Sequence, residues 1–139
     1  MRLPARVVAA VRGELQPRIR AILPASELRF ARCGSELVRA LDEAPCDLLV
    51  VEAHFDESAA AAALGCVLAR EETFPVVCVR DVPSGKPPHA ALNALRMTLG
   101  AVAPDVFIDL SDYPDEEAGN ARVRLVLERV LAVSSPTPV

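Results

Sequence analysis

The chain reads as a doubly wound α/β fold: a five-stranded parallel sheet with helices on both faces. Three observations point there. Short apolar runs alternate with helical patterns along all 139 residues, the mark of strand–helix units wound into a parallel sheet. Several runs are apolar without interruption, as strands are when both faces are covered. The length suits one core and leaves no room for two. The expected organisation is a single domain over residues 1–133, with residues 134–139 (SSPTPV) as a disordered tail or the start of a linker.

The first strand is expected at Arg6–Val11 (RVVAAV). A helix follows over Glu14–Leu23, with Pro17 in its first turn, where a missing N–H costs nothing. Leu28–Arg32 alternates apolar and polar residues and reads as a more exposed strand. Gly34 and Ser35 supply a turn and an N-cap for a helix over Glu36–Glu43, whose buried side carries Leu37, Ala40 and Leu41. Asp47–Val51 is an uninterrupted apolar strand, and Ser58 caps an alanine-rich helix over Ala59–Arg70. Pro75–Val79 is the next buried strand. The prolines and glycine of RDVPSGKPPH then exclude regular structure. A fourth helix spans Ala90–Leu99, the last strand is Val106–Leu110, and the acidic loop SDYPDEE leads to a final helix over Asn120–Ala132. That helix buries Val123, Val126, Leu127, Val130 and Leu131, pairs Arg124 with Glu128 and leaves Leu125 outside the stripe. Right-handed crossovers favour the flavodoxin-like strand order 2-1-3-4-5.

Composition narrows the function. A net charge of −4 and scattered arginines give no clustered cationic face, so nucleic acid is not an expected partner. No apolar window approaches the roughly 20 residues of a membrane span, and charges at Arg6, Arg12 and Glu14 break up any signal peptide, which points to the cytoplasm. Cys33, Cys46, Cys66 and Cys78 form no CxxC pair and are read as small buried hydrophobes.

In a sheet of this order, chemistry collects at the carboxyl ends of the strands. Glu52, Arg80 and Asp109 stand there. Three stretches then resemble the receiver domains of response regulators: ARCGSELVRAL, CDLLVVEA, and FPVVCV followed by GAVAPDVFIDL. The resemblance covers Arg6 to about Ala132. It implies that Glu52 stands where receivers carry the phosphorylated aspartate, Arg80 at the switch Ser/Thr, and Asp109 at the family's lysine. The acidic pair that holds Mg²⁺ in receivers is replaced by Ala10, Val11 and Arg12.

These departures imply a pseudo-receiver that is not phosphorylated, because phosphoryl transfer relies on cations that neutralise developing charge. Glu52 is also one methylene longer than aspartate, and such misplacement is costly. Arg80 is expected to bridge Glu52 and Asp109 in a fixed ion network; the alternative is three separate solvated residues. The resemblance further implies association through helix four, strand five and helix five, as a homodimer or with another protein, with Leu125 and Arg129 as candidate contacts.

Other chemistry is weaker. His54 and His89 sit on loops; a zinc site shared with Glu52 is disfavoured, and neither a metal nor a cofactor is expected. SGKPPH lacks the full phosphate cradle, although Lys86 is a candidate anion contact. No nucleophile–base pair or flavin phosphate loop marks an enzyme. The expected function is a protein-binding signalling module. The alternative is a small-molecule or anion-binding module at the strand ends.

Overall fold

A computed structural model of the protein describes residues 5–52, 74–80 and 106–134. The strands are β1 (Arg6–Ala10), β2 (Glu27–Ala31), β3 (Leu48–Glu52), β4 (Val76–Arg80) and β5 (Val106–Asp109). The described helices are α1 (Gln16–Ile22), α2 (Gly34–Glu43) and α3 (Glu117–Ser134). All strand pairings are parallel, and the order is β2-β1-β3-β4-β5, as the sequence predicts. The expected helices at Ala59–Arg70 and Ala90–Leu99 lie outside the described residues, as do Cys66, His54, His89 and Lys86.

The pleat sorts the apolar runs into two cores. Val8, Ala10, Leu49, Val51, Val76 and Cys78 face one side and pack with Leu37, Ala40 and Leu41 of α2. Val7, Ala9, Leu48, Val50, Val77, Val79 and Ile108 face the other and pack with Ile19 and Ile22 of α1 and Val123, Leu127 and Leu131 of α3. Successive strand residues point to opposite faces, so covering both faces requires the unbroken apolar strands seen in the sequence.

Boundaries shift by one to three residues for identifiable reasons. Pro75 lies just outside β4, because it has no N–H for the ladder, while its carbonyl accepts from the Leu49 N–H at 3.1 Å. The first helix opens with a 3-10 turn (Gly13–Leu15), and Pro17 falls within the first two positions of α1. Ser35 is not the cap of α2: the helix begins at Gly34, and Cys33 takes the extended cap position without a side-chain cap bond. Val126 is half-buried rather than fully buried. The last helix starts three residues early, at Glu117, with the Asn120 N–H bonded to the Glu116 carbonyl at 2.9 Å. Gly119 permits this start. A Cβ there would stand 2.0 Å from the Pro114 carbonyl oxygen, a separation no side chain tolerates.

Arginines close the elements. Arg29 on β2 donates to the carbonyls of Ala40, Ala44 (3.1 Å) and Pro45 (3.2 Å) at the end of α2. Arg124 does not pair with Glu128. It donates instead to the Ile22 and Ala21 carbonyls at 2.6 and 3.1 Å, where α1 ends. Orphan helix carbonyls suit a planar fork of donors, and two such contacts outweigh one solvated i,i+4 pair.

Candidate functional site at the strand ends

The carboxyl ends of β1, β3, β4 and β5 carry the charged residues. Glu52, the last residue of β3, is entirely buried, and both carboxylate oxygens are engaged by one residue: Oε1 accepts from the Arg12 backbone N–H at 2.8 Å, and Oε2 from Arg12 Nε at 2.5 Å. Arg12 also reaches Glu14 in the following 3-10 turn, NH1 to Oε2 at 3.2 Å. The guanidinium thus lies between a buried and an exposed carboxylate, itself 31 % exposed. Burying a carboxylate is costly unless it is paired and hydrogen-bonded, and Arg12 supplies both the charge and the donors.

Strand order explains the pairing. β1 and β3 are neighbours, with Ala10 opposite Val51, so the residues that follow β1 run beside Glu52. Arg12 was the visible cation at the end of β1; its neighbour across the sheet was legible from the order 2-1-3-4-5 but missed by comparing strand ends alone.

Arg80 makes a separate pair. Its NH1 lies 3.3 Å from Asp109 Oδ2, and each side chain is about one-third exposed. Asp109 also caps the 3-10 turn after β5 (Leu110–Asp112) by accepting from the Ser111 N–H at 2.9 Å. Among the described residues, Arg80 contacts Asp109 and not Glu52, so the expected three-residue bridge is replaced by two pairs. Register gives the reason. Arg80 stands opposite Asp109, whereas Glu52 stands opposite Val79. Alternation along β4 therefore points Arg80 to the α2 side and leaves Val79 on Glu52's side.

A buried polar cluster that the sequence reading did not identify braces the rim from below. Arg18 of α1 is 8 % exposed and donates to Asn120 Oδ1 at 3.2 Å, the Leu110 carbonyl at 3.3 Å and the Tyr113 carbonyl. Asn120 donates in turn to Asp115 Oδ1 at 3.1 Å. No local sequence pattern distinguishes Arg18 from the other arginines of the chain.

The thiols also differ by setting. A hydrogen bond with the Ser35 hydroxyl, 3.3 Å away, and backbone donors at the start of α2 lower the Cys33 thiol below its ordinary range. Burial pushes the Cys46 thiol up. Cys78 is buried as expected, whereas Cys33 and Cys46 are only partly buried. Among the described residues no group of three or more acidic, histidine or cysteine side chains converges as a metal site.

The chain is similar in structure to several solved signal-receiver proteins. NtrX from Brucella abortus, crystallised with ADP, superposes with a TM-score of 0.70 at 17 % identity over 95 % of this chain. This chain spans only 28 % of NtrX. The signal receiver domain of an HD domain-containing protein from Pseudomonas fluorescens Pf-5 matches with a TM-score of 0.69 at 14 % identity, covering 96 % of this chain and 92 % of that one. A CheY-like receiver domain from Methylobacillus flagellatus gives 0.57 at 12 % identity, with 88 % and 97 % coverage. Neither a protein-family model nor a curated protein sequence matches the chain. The fold is therefore that of receiver domains.

Proposed function

We propose that this chain is a receiver-like signalling module that is not phosphorylated, is not an enzyme and acts by binding protein. The supporting observation is the Arg12–Glu52 pair. A phosphoacceptor must offer a carboxylate oxygen to the incoming phosphorus atom, and a hard divalent ion needs several free oxygen ligands. Both Glu52 oxygens are already bonded to Arg12, and the side chain is fully buried. Arg12 supplies a permanent, tethered cation where receivers recruit a dissociable one, so the strand-end rim is held in one state. The absence of a membrane-length apolar helix among the described residues is compatible with this reading.

The test is thermal melting with Mg²⁺ and beryllofluoride. We expect no change in Tm. A ligand at 100 times its Kd stabilises by about 2.7 kcal/mol, so an upward shift of that size would overturn the reading.

A second reading, an anion-binding module, is favoured by Arg80. Its Nε is buried without a hydrogen-bond partner among the described residues, leaving one donor of the fork for a small anion. Stabilisation by inorganic phosphate without Mg²⁺, lost in Arg80→Ala, would select it.

A further inference from the structure

β2 forms one edge of the sheet and, among the described residues, pairs only with β1. The Glu27 N–H bonds to the Ala5 carbonyl at 3.0 Å and the Val11 N–H to the Ala31 carbonyl at 3.1 Å, which fixes the groups that face inward. Glu27, Arg29 and Ala31 turn their backbone to β1, so the N–H and C=O groups of Leu28 and Phe30 turn outward. Among the described residues these outward groups meet no hydrogen-bond partner. Sheet edges are ordinarily blunted by proline, a bulge or an inward-pointing charge. β2 has no proline, its register with β1 is unbroken, and its central charge is drawn away, because the carbonyls of Ala40, Ala44 and Pro45 hold the Arg29 guanidinium. Leu28 and Phe30 are half-buried on the α1 side of this edge, with Arg20 over the Phe30 ring at 4.8 Å. Arg20 and Glu27 are exposed and have no ion-pair partner among the described residues.

We propose that β2 is a docking edge for an extended segment of a partner protein, added antiparallel as a further strand. This gives the protein-binding reading above a partner of stated chemistry and rests on that reading. The outward N–H and C=O groups of Leu28 and Phe30 supply affinity, and the side chains beside them supply specificity. Antiparallel pairing is the more stable per residue. Cross-strand neighbours stand about 5 Å apart, so the partner residue opposite Phe30 lies within reach of Arg20 and is acidic. The residue opposite Arg29 is uncharged and β-branched, the one opposite Leu28 is apolar, and the one opposite Glu27 is basic. Read from its N-terminus, the segment is of the type Glu-Thr-Val-Lys. A second copy of β2 fits less well. The register that uses both Leu28 and Phe30 sets Arg29 against Arg29 of the other copy, and like charges directly opposite repel.

Fluorescence anisotropy of a capped, labelled peptide with the core Glu-Thr-Val-Lys, titrated with the full chain, tests this. Binding should saturate with a Kd below about 1 mM, as suits a short, weak interface. Leu28→Pro deletes an outward N–H and no bond of the β1 ladder, so it should weaken binding about tenfold while far-UV circular dichroism stays unchanged. Arg20→Glu, at an exposed helix position, should weaken binding about fivefold, and a peptide with lysine in place of the glutamate should recover the loss. No saturation, binding indifferent to Arg20→Glu or to a folded Leu28→Pro, or equal binding of the reversed core Lys-Val-Thr-Glu would overturn the proposal. A chain that sediments at twice 14.8 kDa and reverts to monomer in Leu28→Pro would give the edge to a second copy, and would overturn it too. Silence toward both the peptide and beryllofluoride removes the docking edge alone and leaves the unphosphorylated module standing. A rise in Tm with beryllofluoride removes that module and leaves the peptide result unchanged.

Discussion

Two arginine–carboxylate pairs sit on the same rim of the sheet, built from the same chemistry at different depths. Arg12 and Glu52 join a fully buried carboxylate to its donors at 2.5 and 2.8 Å. Arg80 and Asp109 meet at 3.3 Å with about a third of each side chain in solvent. At one dielectric, Coulomb attraction would favour the first pair only modestly, through its shorter separation. Burial separates them, because removing one partner of a buried pair strands a charge in a low-dielectric setting, whereas water replaces a lost exposed partner.

The largest expected effect follows from that asymmetry. Arg12→Ala should cost about 3 kcal/mol in urea unfolding, at the low end for breaking a buried pair because Arg12 is itself partly exposed. Glu52→Gln should cost less, since the amide oxygen still accepts the Arg12 N–H and the freed guanidinium can turn to Glu14. If Glu52→Gln proved the worse of the two, the stranded carboxylate would not be the governing term.

The second pair should respond weakly. Asp109→Ala should cost about 1 kcal/mol, mainly through the lost cap on Ser111, and Arg80→Ala less than about 0.5 kcal/mol. A double-mutant cycle should return a coupling energy within about 0.5 kcal/mol of zero at high salt. A coupling as large as the Arg12→Ala cost would erase the distinction between the two pairs.

The smallest effect extends the contrast to the thiols. Cys33, lowered by its hydrogen bonds, becomes thiolate at a lower pH than Cys46, which burial raises. Iodoacetamide should therefore label Cys33 first, with the midpoint of its rate–pH profile below that of Cys46. Peptide mapping of the labelled sites would show the order, and reversal would mean that access outweighs thiolate character.

Much of the fold was legible because it rests on local periodicity. Unbroken apolar runs announced a sheet covered on both sides, and Leu37, Ala40 and Leu41 announced the inner face of α2. The helix starts were less legible. Gly34 and Glu117 begin their helices early because Cys33 extends into the cap position and Gly119 leaves room for the Pro114 carbonyl. The roles of Arg18 and Arg124, the latter expected to pair with Glu128, were not legible, since the carbonyls they satisfy lie 92 to 103 residues away in the chain.

By itself the sequence determined the strand order, the two cores and the presence of Glu52, Arg80 and Asp109 at the strand ends, because hydrophobic spacing and crossover handedness leave little choice. Only the tertiary structure decided who pairs with whom. A one-residue step along a strand turns a side chain to the opposite face, so register, invisible in any single segment, assigned Arg12 to Glu52 and left Arg80 to Asp109.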